Sequence, residues 1–137
     1  MQSYDEVQTG RGASFPLPYV CALTDDPIRI TGIDLQTPEP GLSVTGFLVA
    51  DEPGAPGAIV SRPLDETPQG KHAAPDGLIS AQCDSDESVQ VWVEVTLERT
   101  GAAQAQAVRY RYSVDGEDEQ ATDWFPTGVG LSTATAR

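Results

Sequence analysis

The feature that most constrains this chain is the run from Ser88 to Trp124, in which apolar and polar residues alternate. Every second residue from Val89 to Leu97 is aliphatic, and an apolar residue again occupies every second position from Val108 to Val114. This period of two is typical of a β-strand with one buried face. Small and polar residues separate the two segments. The segments therefore predict a β-hairpin whose two strands pack their apolar faces on one core.

Length and composition favour a single domain of short strands. The chain has 137 residues, of which 13 are glycine and 11 are proline. A chain of this length buries one core, and so many turn residues leave little room for long helices. We expect a flexible lead-in over 1–14, one all-β domain over 15–131 with seven or eight strands arranged as an antiparallel sandwich, and a frayed tail over 132–137. Trp124 and Phe125 are expected to close the core.

Two segments before the first alternating run change the phase of their apolar pattern at a glycine. In Ile28–Thr37 the change falls at Gly32, and in Leu42–Ala50 it falls at Gly46. An extra residue with a permissive backbone at each glycine keeps the apolar side chains on one face, which predicts a β-bulge at both positions. The turn residues between the segments predict that they pair as a second hairpin.

The charge of the chain limits its partners. A formal net charge of −13 repels phosphate backbones and anionic lipid surfaces, so neither nucleic acid nor a membrane surface is an expected partner. The same charge favours solubility, or attraction to a basic protein. The sequence has no apolar run of the ~20 residues that a membrane span requires, and no signal peptide at its start. It is therefore either cytoplasmic or an exported domain whose export signal or anchor has been removed.

The two cysteines, Cys21 and Cys83, bear on the compartment. Neither stands in a C-x-x-C pair or at metal-ligand spacing from a second ligand. A disulfide between them is the economical interpretation, and closing so long a loop adds about 4 kcal/mol on the chain-entropy model. The alternative is two separate buried thiols. A disulfide would indicate an oxidising compartment.

Catalytic and metal-binding residues are not indicated, and no cofactor is expected. His72 is the single histidine and has no nucleophile motif around it, so a solvated loop residue is the simpler interpretation. The carboxylate clusters Asp84–Glu87 and Glu117–Glu119 contain possible calcium ligands, but neither follows the EF-hand pattern, and solvated turns are expected instead. A hydrolase with dispersed acidic residues remains open on the number of carboxylates alone.

The outer face of the predicted hairpin is the candidate partner-binding surface. Trp92 interrupts the polar register and is expected to share that face with Gln90, Glu94, Arg109 and Arg111. Tryptophan and arginine are enriched at binding hot spots. The alternative is that the tryptophan stacks under an arginine, or lies beneath a loop, as an ordinary packing residue.

The strand count, the pair Cys21 and Cys83, and the segment Tyr110–Gly116 together resemble the immunoglobulin-like extracytoplasmic domains of secreted or membrane-anchored proteins from GC-rich Gram-positive bacteria. The resemblance spans about Phe15 to Leu131 and implies an immunoglobulin-like β-sandwich located extracellularly or in the cell envelope. The chain departs from immunoglobulin domains because no tryptophan lies between the cysteines, and because Ala81 stands where a tyrosine corner would place tyrosine.

Three functions follow as hypotheses. The first is a non-catalytic binding or structural module of the bacterial cell envelope, with a protein partner of unknown identity. The second is an acidic inhibitor or immunity-type protein that binds a basic protein, because strong negative charge suits electrostatic steering. The third is a small carboxylate-dependent hydrolase.

Overall fold

The protein is an all-β sandwich. The computed structural model describes residues 2–23, 26–50, 77–79, 81–83 and 89–133. Ten strands lie within them: β1 (Gln2–Val7), β2 (Ala13–Val20), β3 (Ile28–Leu35), β4 (Leu42–Ala50), β5 (Leu78–Ile79), β6 (Val89–Leu97), β7 (Ala102–Ala105), β8 (Val108–Val114), β9 (Gln120–Ala121) and β10 (Val129–Thr133). These described segments contain no helix that is long and apolar enough to cross a membrane.

The strands form three sheets around one core. Their orders are β2-β6-β4, β5-β3-β8-β9 and β1-β10-β7, and every pairing is antiparallel except the parallel one between β1 and β10. Strand β6 is central, and its inward residues Val91, Val93 and Val95 are fully buried. One cluster of buried apolar side chains draws on all three sheets. The sheets therefore belong to a single packed unit.

Strands β6 and β8 begin and end where the alternation predicts, but the predicted hairpin between them is wrong. Strand β6 pairs with β2 and β4, whereas β8 pairs with β3 and β9. The alternation shows that each strand has an apolar face, and it does not show whether two such faces lie side by side in one sheet or meet across a core. Here they meet across the core.

The hairpin predicted between β3 and β4 is also wrong, because each strand belongs to a different sheet. The two predicted bulges are nevertheless confirmed. The register of β3 against β8 shifts between Ile30 and Gly32, and the register of β4 against β6 shifts between Val44 and Gly46. The phase changes in the sequence therefore predicted the position of each bulge correctly. They did not indicate which strand each segment pairs with.

The segment expected to be a flexible lead-in is a paired strand in the structure. Strand β1 pairs in parallel with β10, and Val7 at its end is buried. Strand β2 then begins at Ala13, two residues before the predicted start of the domain. The sequence of β1 hides the strand because Val7 is its single aliphatic residue. At the other end β10 extends to Thr133, and residues 134–137 of the predicted frayed tail lie outside the described residues.

The predicted disulfide between Cys21 and Cys83 is confirmed. Their Cα atoms lie 5.0 Å apart and their sequence separation is 62 residues. Short backbone contacts flank the bond, because the amide of Ala22 donates to the carbonyl of Ala81 and the amide of Cys83 donates to the carbonyl of Ala22. The covalent link therefore joins the chain that follows β2 to the chain that follows β5.

Candidate functional site

The structure does not bring the five predicted partner-binding residues together. Gln90, Trp92 and Glu94 lie on the outer side of β6, opposite the buried valines, and Arg109 and Arg111 lie on the outer side of β8. Because β6 and β8 belong to different sheets, their outer sides face away from each other. The single surface expected from the hairpin therefore does not exist.

Trp92 is a packing residue and not an exposed one. Its side chain is 0% exposed and contacts Ala50 and Leu48, while Gln90 is 8% exposed. The indole Nε1 has no hydrogen-bond partner among the described residues. The contacts of Trp92 that the structure describes are thus with aliphatic side chains of β4, since the register places Leu48 directly opposite it.

Glu94 is engaged within its own sheet. The hydroxyl of Thr45 donates to its carboxylate at 2.6 Å. Its methylene stem crosses Gly12, where an added Cβ would lie 2.6 Å from the Cγ of Glu94. The glycine thus provides the space that the glutamate side chain occupies, and the carboxylate serves to tie β4 to β6.

Arginine and tryptophan do meet, on the outer side of the other sheet. We define the arginine face as Arg109, Arg111, Trp124, Asp34 and Glu119. The carboxylate of Asp34 lies 2.9 Å from Nε of Arg109 and 3.0 Å from Nε of Arg111, so it bridges the two guanidinium groups. Glu119 lies 3.5 Å from Nη1 of Arg111. The face exists because the register pairs Asp34 of β3 directly with Arg109 of β8.

The bulge at Gly32 determines where Arg111 lies. Gly32 is opposite Arg111 in the register, and a Cβ on this glycine would overlap the guanidinium group. The guanidinium therefore occupies the space that a side chain at position 32 would fill. Its Nε forms an ion pair with Asp34, but the N–H is not aligned for a hydrogen bond with any described residue. The two side chains are therefore attracted by their opposite charges, without a well-aligned hydrogen bond from this N–H.

Trp124 stacks on Arg109. The guanidinium carbon of Arg109 lies 4.5 Å from the centre of the indole ring, within the range of a cation–π contact. Its neighbour Phe125 turns the other way and packs against Tyr110, with ring centres 5.1 Å apart. The predicted core-closing role therefore holds for Phe125 alone. Consecutive residues of an extended segment point to opposite sides, and this rule could have separated the two residues in advance.

Of the remaining candidate residues, one carboxylate cluster lies within the described segments, and the other cluster and the histidine do not. Residues 117–119 are exposed, and Glu119 also accepts a hydrogen bond of 2.6 Å from Thr31. His72 and the cluster Asp84–Glu87 lie outside the described residues. Within the part of the chain that the structure describes, no group of three or more histidine, cysteine, aspartate or glutamate side chains is placed to hold a metal ion.

Comparison with known proteins gives no family. No family model matches the chain, and no curated protein matches it. Among solved structures, the chain is similar to the Vibrio cholerae VesB protease, with a TM-score of 0.37 and 13% identity. The alignment covers 96% of this chain and 30% of the protease chain. So low a TM-score carries no conclusion about activity.

Proposed function

We propose that this protein is a non-catalytic binding module of the bacterial cell envelope, and that the arginine face binds its protein partner. The observation that carries the proposal is the stack of Trp124 on Arg109, partly exposed on a sheet surface. Tryptophan and arginine dominate the energetics of many protein interfaces because each combines a large contact area with directional donors.

The arginine face is preorganised for binding. Asp34 holds the guanidinium groups of Arg109 and Arg111, whose side chains as a whole are 35% and 39% exposed. Ordering a long side chain on association costs about 0.5–1.5 kcal/mol, and a guanidinium that is already held avoids part of that cost. Arginine also keeps further N–H donors available after pairing with one carboxylate. The face is therefore suited to a partner that presents carboxylate or backbone carbonyl oxygens.

The charge distribution supports the same surface. The chain carries a formal net charge of −13 with eight basic residues. Arg29, Arg109 and Arg111 all lie on the outer side of the sheet that contains β3 and β8, since Arg29 is paired with Ser113 in the same register. Three of the five basic residues that the structure describes thus lie on one surface, where two of them pair with the carboxylates of Asp34 and Glu119. Such a patch favours one orientation of an approaching partner over others.

The disulfide supports a location outside the cytoplasm. Disulfide bonds persist in oxidising compartments and are rare where thiols are kept reduced. The bond between Cys21 and Cys83 therefore favours an exported protein, in agreement with the resemblance to extracytoplasmic domains. Because that resemblance is to an immunoglobulin-like sandwich, we also propose that the strands of this domain follow an immunoglobulin-like topology.

Photocrosslinking tests the proposed surface. Ala121 is exposed and lies directly opposite Arg111 in the register, so a benzoylphenylalanine at this position probes the arginine face without removing any of its residues. Tyr19, which is 51% exposed at the edge strand of the other sheet, is the matched control position. We expect a crosslinked adduct with a component of the producing bacterium's envelope from position 121 and none from position 19.

The arginine face must also be necessary for the adduct. Arg109→Ala and Trp124→Ala should each abolish crosslinking from position 121 while the melting temperature changes by a few degrees at most, because an exposed cation–π contact contributes about 0.5–1 kcal/mol. Adducts of equal yield from both positions, or an adduct that survives both substitutions, would refute the proposal. An adduct that survives them and disappears at high salt would instead favour the acidic-inhibitor hypothesis.

A further inference from the structure

A cavity of about 520 Å³ lies between the end of β2 and the inner side of the sheet that contains β3 and β8. Ile30, Ile79 and Tyr110, all buried, form its deepest part. Tyr112 lies opposite Ile30 in the register and forms a side wall, and Val114 lies two residues further along the same strand. The inner face of β8 is buried at Tyr110 and only partly buried at Tyr112 and Val114, so the cavity is open at that end.

The inner part of the cavity is apolar and electrically neutral. The hydroxyl of Tyr110 donates a hydrogen bond of 2.7 Å to the backbone carbonyl of Pro18, so it is already satisfied. Burial raises the pKa of Tyr110 well above the ordinary value of 10.0, and the phenol stays uncharged at neutral pH. An ionised group on a ligand would gain no charged partner at this depth. It would also lose its hydration there.

Among the described residues that line the cavity, charge is confined to the mouth and has one sign. Two carboxylate side chains, Asp26 and Glu117, line the cavity, and both residues are exposed. No lysine, arginine or histidine is among the described residues that line it. Carboxylates at an opening attract cations and repel anions, and the overall charge of −13 acts in the same direction. The mouth thus selects by charge, while the interior selects for apolar surface.

We propose that this cavity binds a small hydrophobic amine, with its aromatic or alkyl body against Tyr112 and Ile30 and its ammonium group at the mouth beside Asp26 and Glu117. The volume lies within the range of about 300–1,000 Å³ that is usual for small-molecule sites, whose walls are mostly apolar with a few polar groups. The site faces the interior of the sandwich, whereas the arginine face lies on the outer side of the same sheet. The two proposals can therefore fail separately.

Two probes of matched shape and opposite charge test the proposal. Phenethylamine and 3-phenylpropionate have similar bodies, and at neutral pH the first is a cation and the second an anion. Each is titrated into the isotope-labelled protein while backbone amide shifts are followed by NMR. We expect the amine to shift amides of β3 and β8 around Ile30, Tyr112 and Val114, and the carboxylate to bind at least about fivefold more weakly.

Neighbouring carboxylates provide the control. Glu117→Gln should weaken binding of phenethylamine about two- to fivefold, because Glu117 lines the mouth, whereas Asp118→Asn should leave it unchanged, because Asp118 is exposed and does not line the cavity. Val114→Phe should fill part of the space and abolish binding. The proposal is overturned by equal affinity for both probes, by equal effects of the two carboxylate substitutions, or by no shifts at millimolar amine. Dispersed amide spectra establish that each variant is folded.

Discussion

Replacing Trp92 by alanine distinguishes a packing residue from a binding residue. An exposed Trp92 on a partner-binding surface would give a variant that loses binding while its melting temperature barely changes. The structure predicts the opposite, because the side chain is 0% exposed and packs with Ala50 and Leu48. Removing a buried aromatic side chain of this size costs about 3–5 kcal/mol, since apolar contacts are lost and a cavity is left behind.

The expected change is large enough to measure by thermal unfolding. For a domain of 137 residues, each kcal/mol corresponds to about 3–4 °C in melting temperature, so Trp92→Ala should melt about 9–20 °C below the parent. Trp92→Phe should lose about 1 kcal/mol or less. It retains a ring, and it removes an indole N–H that is buried without a partner among the described residues, an arrangement that itself costs about 1–3 kcal/mol.

Trp124→Ala is the matched control, because Trp124 is partly exposed and contributes mainly a cation–π contact with Arg109. Its melting temperature should fall by about 2–4 °C. Circular dichroism on heating, repeated as urea unfolding, measures all three variants. If Trp92→Ala melted no lower than Trp124→Ala, the buried position of Trp92 would be refuted.

Three further perturbations test other parts of the structure. Replacing Cys21 and Cys83 together by serine should lower the free energy of unfolding by about 2–4 kcal/mol in urea, and reductant should then lower the melting temperature of the parent protein alone. Gly32→Ala should cost about 1 kcal/mol by displacing the Arg111 guanidinium, and the cost should largely vanish in an Arg111→Ala background. Tyr110→Phe should cost about 1 kcal/mol at neutral pH, because it loses one hydrogen bond. Because the pKa of Tyr110 is raised in the folded state, the Tyr110 phenol loses its proton at lower pH in the unfolded chain. Above pH 10 the parent should therefore lose up to about 1.4 kcal/mol of stability per pH unit. The Tyr110→Phe variant should lose less stability over the same range.

Much of the local structure could be predicted because it depends on residues that are near one another in sequence. The alternation in Val89–Leu97 and Val108–Val114 gave both strands their bounds. The phase changes at Gly32 and Gly46 located two bulges. Each of these features follows from the period of two and from glycine's permissive backbone.

Pairing partners could not be predicted because they depend on residues that are far apart. The alternation in β8 is the same whether it lies beside β6 or across the core from it, and the structure has the second arrangement. Strand β7, Ala102–Ala105, was missed because alanine and glutamine have weak strand preference, although Ala103 and Ala105 are buried.

For the candidate site, the residue types were predictable from the sequence, but their arrangement depended on strand pairing and was not. A surface combining tryptophan with arginine was expected, and one exists, but it contains Trp124 instead of Trp92. The prediction rested on the hairpin that placed Trp92 beside Arg109 and Arg111, and it failed with that hairpin. Nothing in the sequence indicated that Asp34, 75 residues before Arg109, would bridge the two arginines.

The parallel pairing of β1 with β10 has a mechanical consequence. Tension applied between Gln2 and Thr133 pulls the two strands past each other in opposite directions, because they run the same way and are held at opposite ends. The hydrogen bonds between them then bear the load simultaneously, in shear, instead of opening one after another. Strand β10 is also held on its other side by β7, whereas β1 is the edge strand of this sheet. A strand whose sequence looked like a loose leader would thus be the element that resists extension.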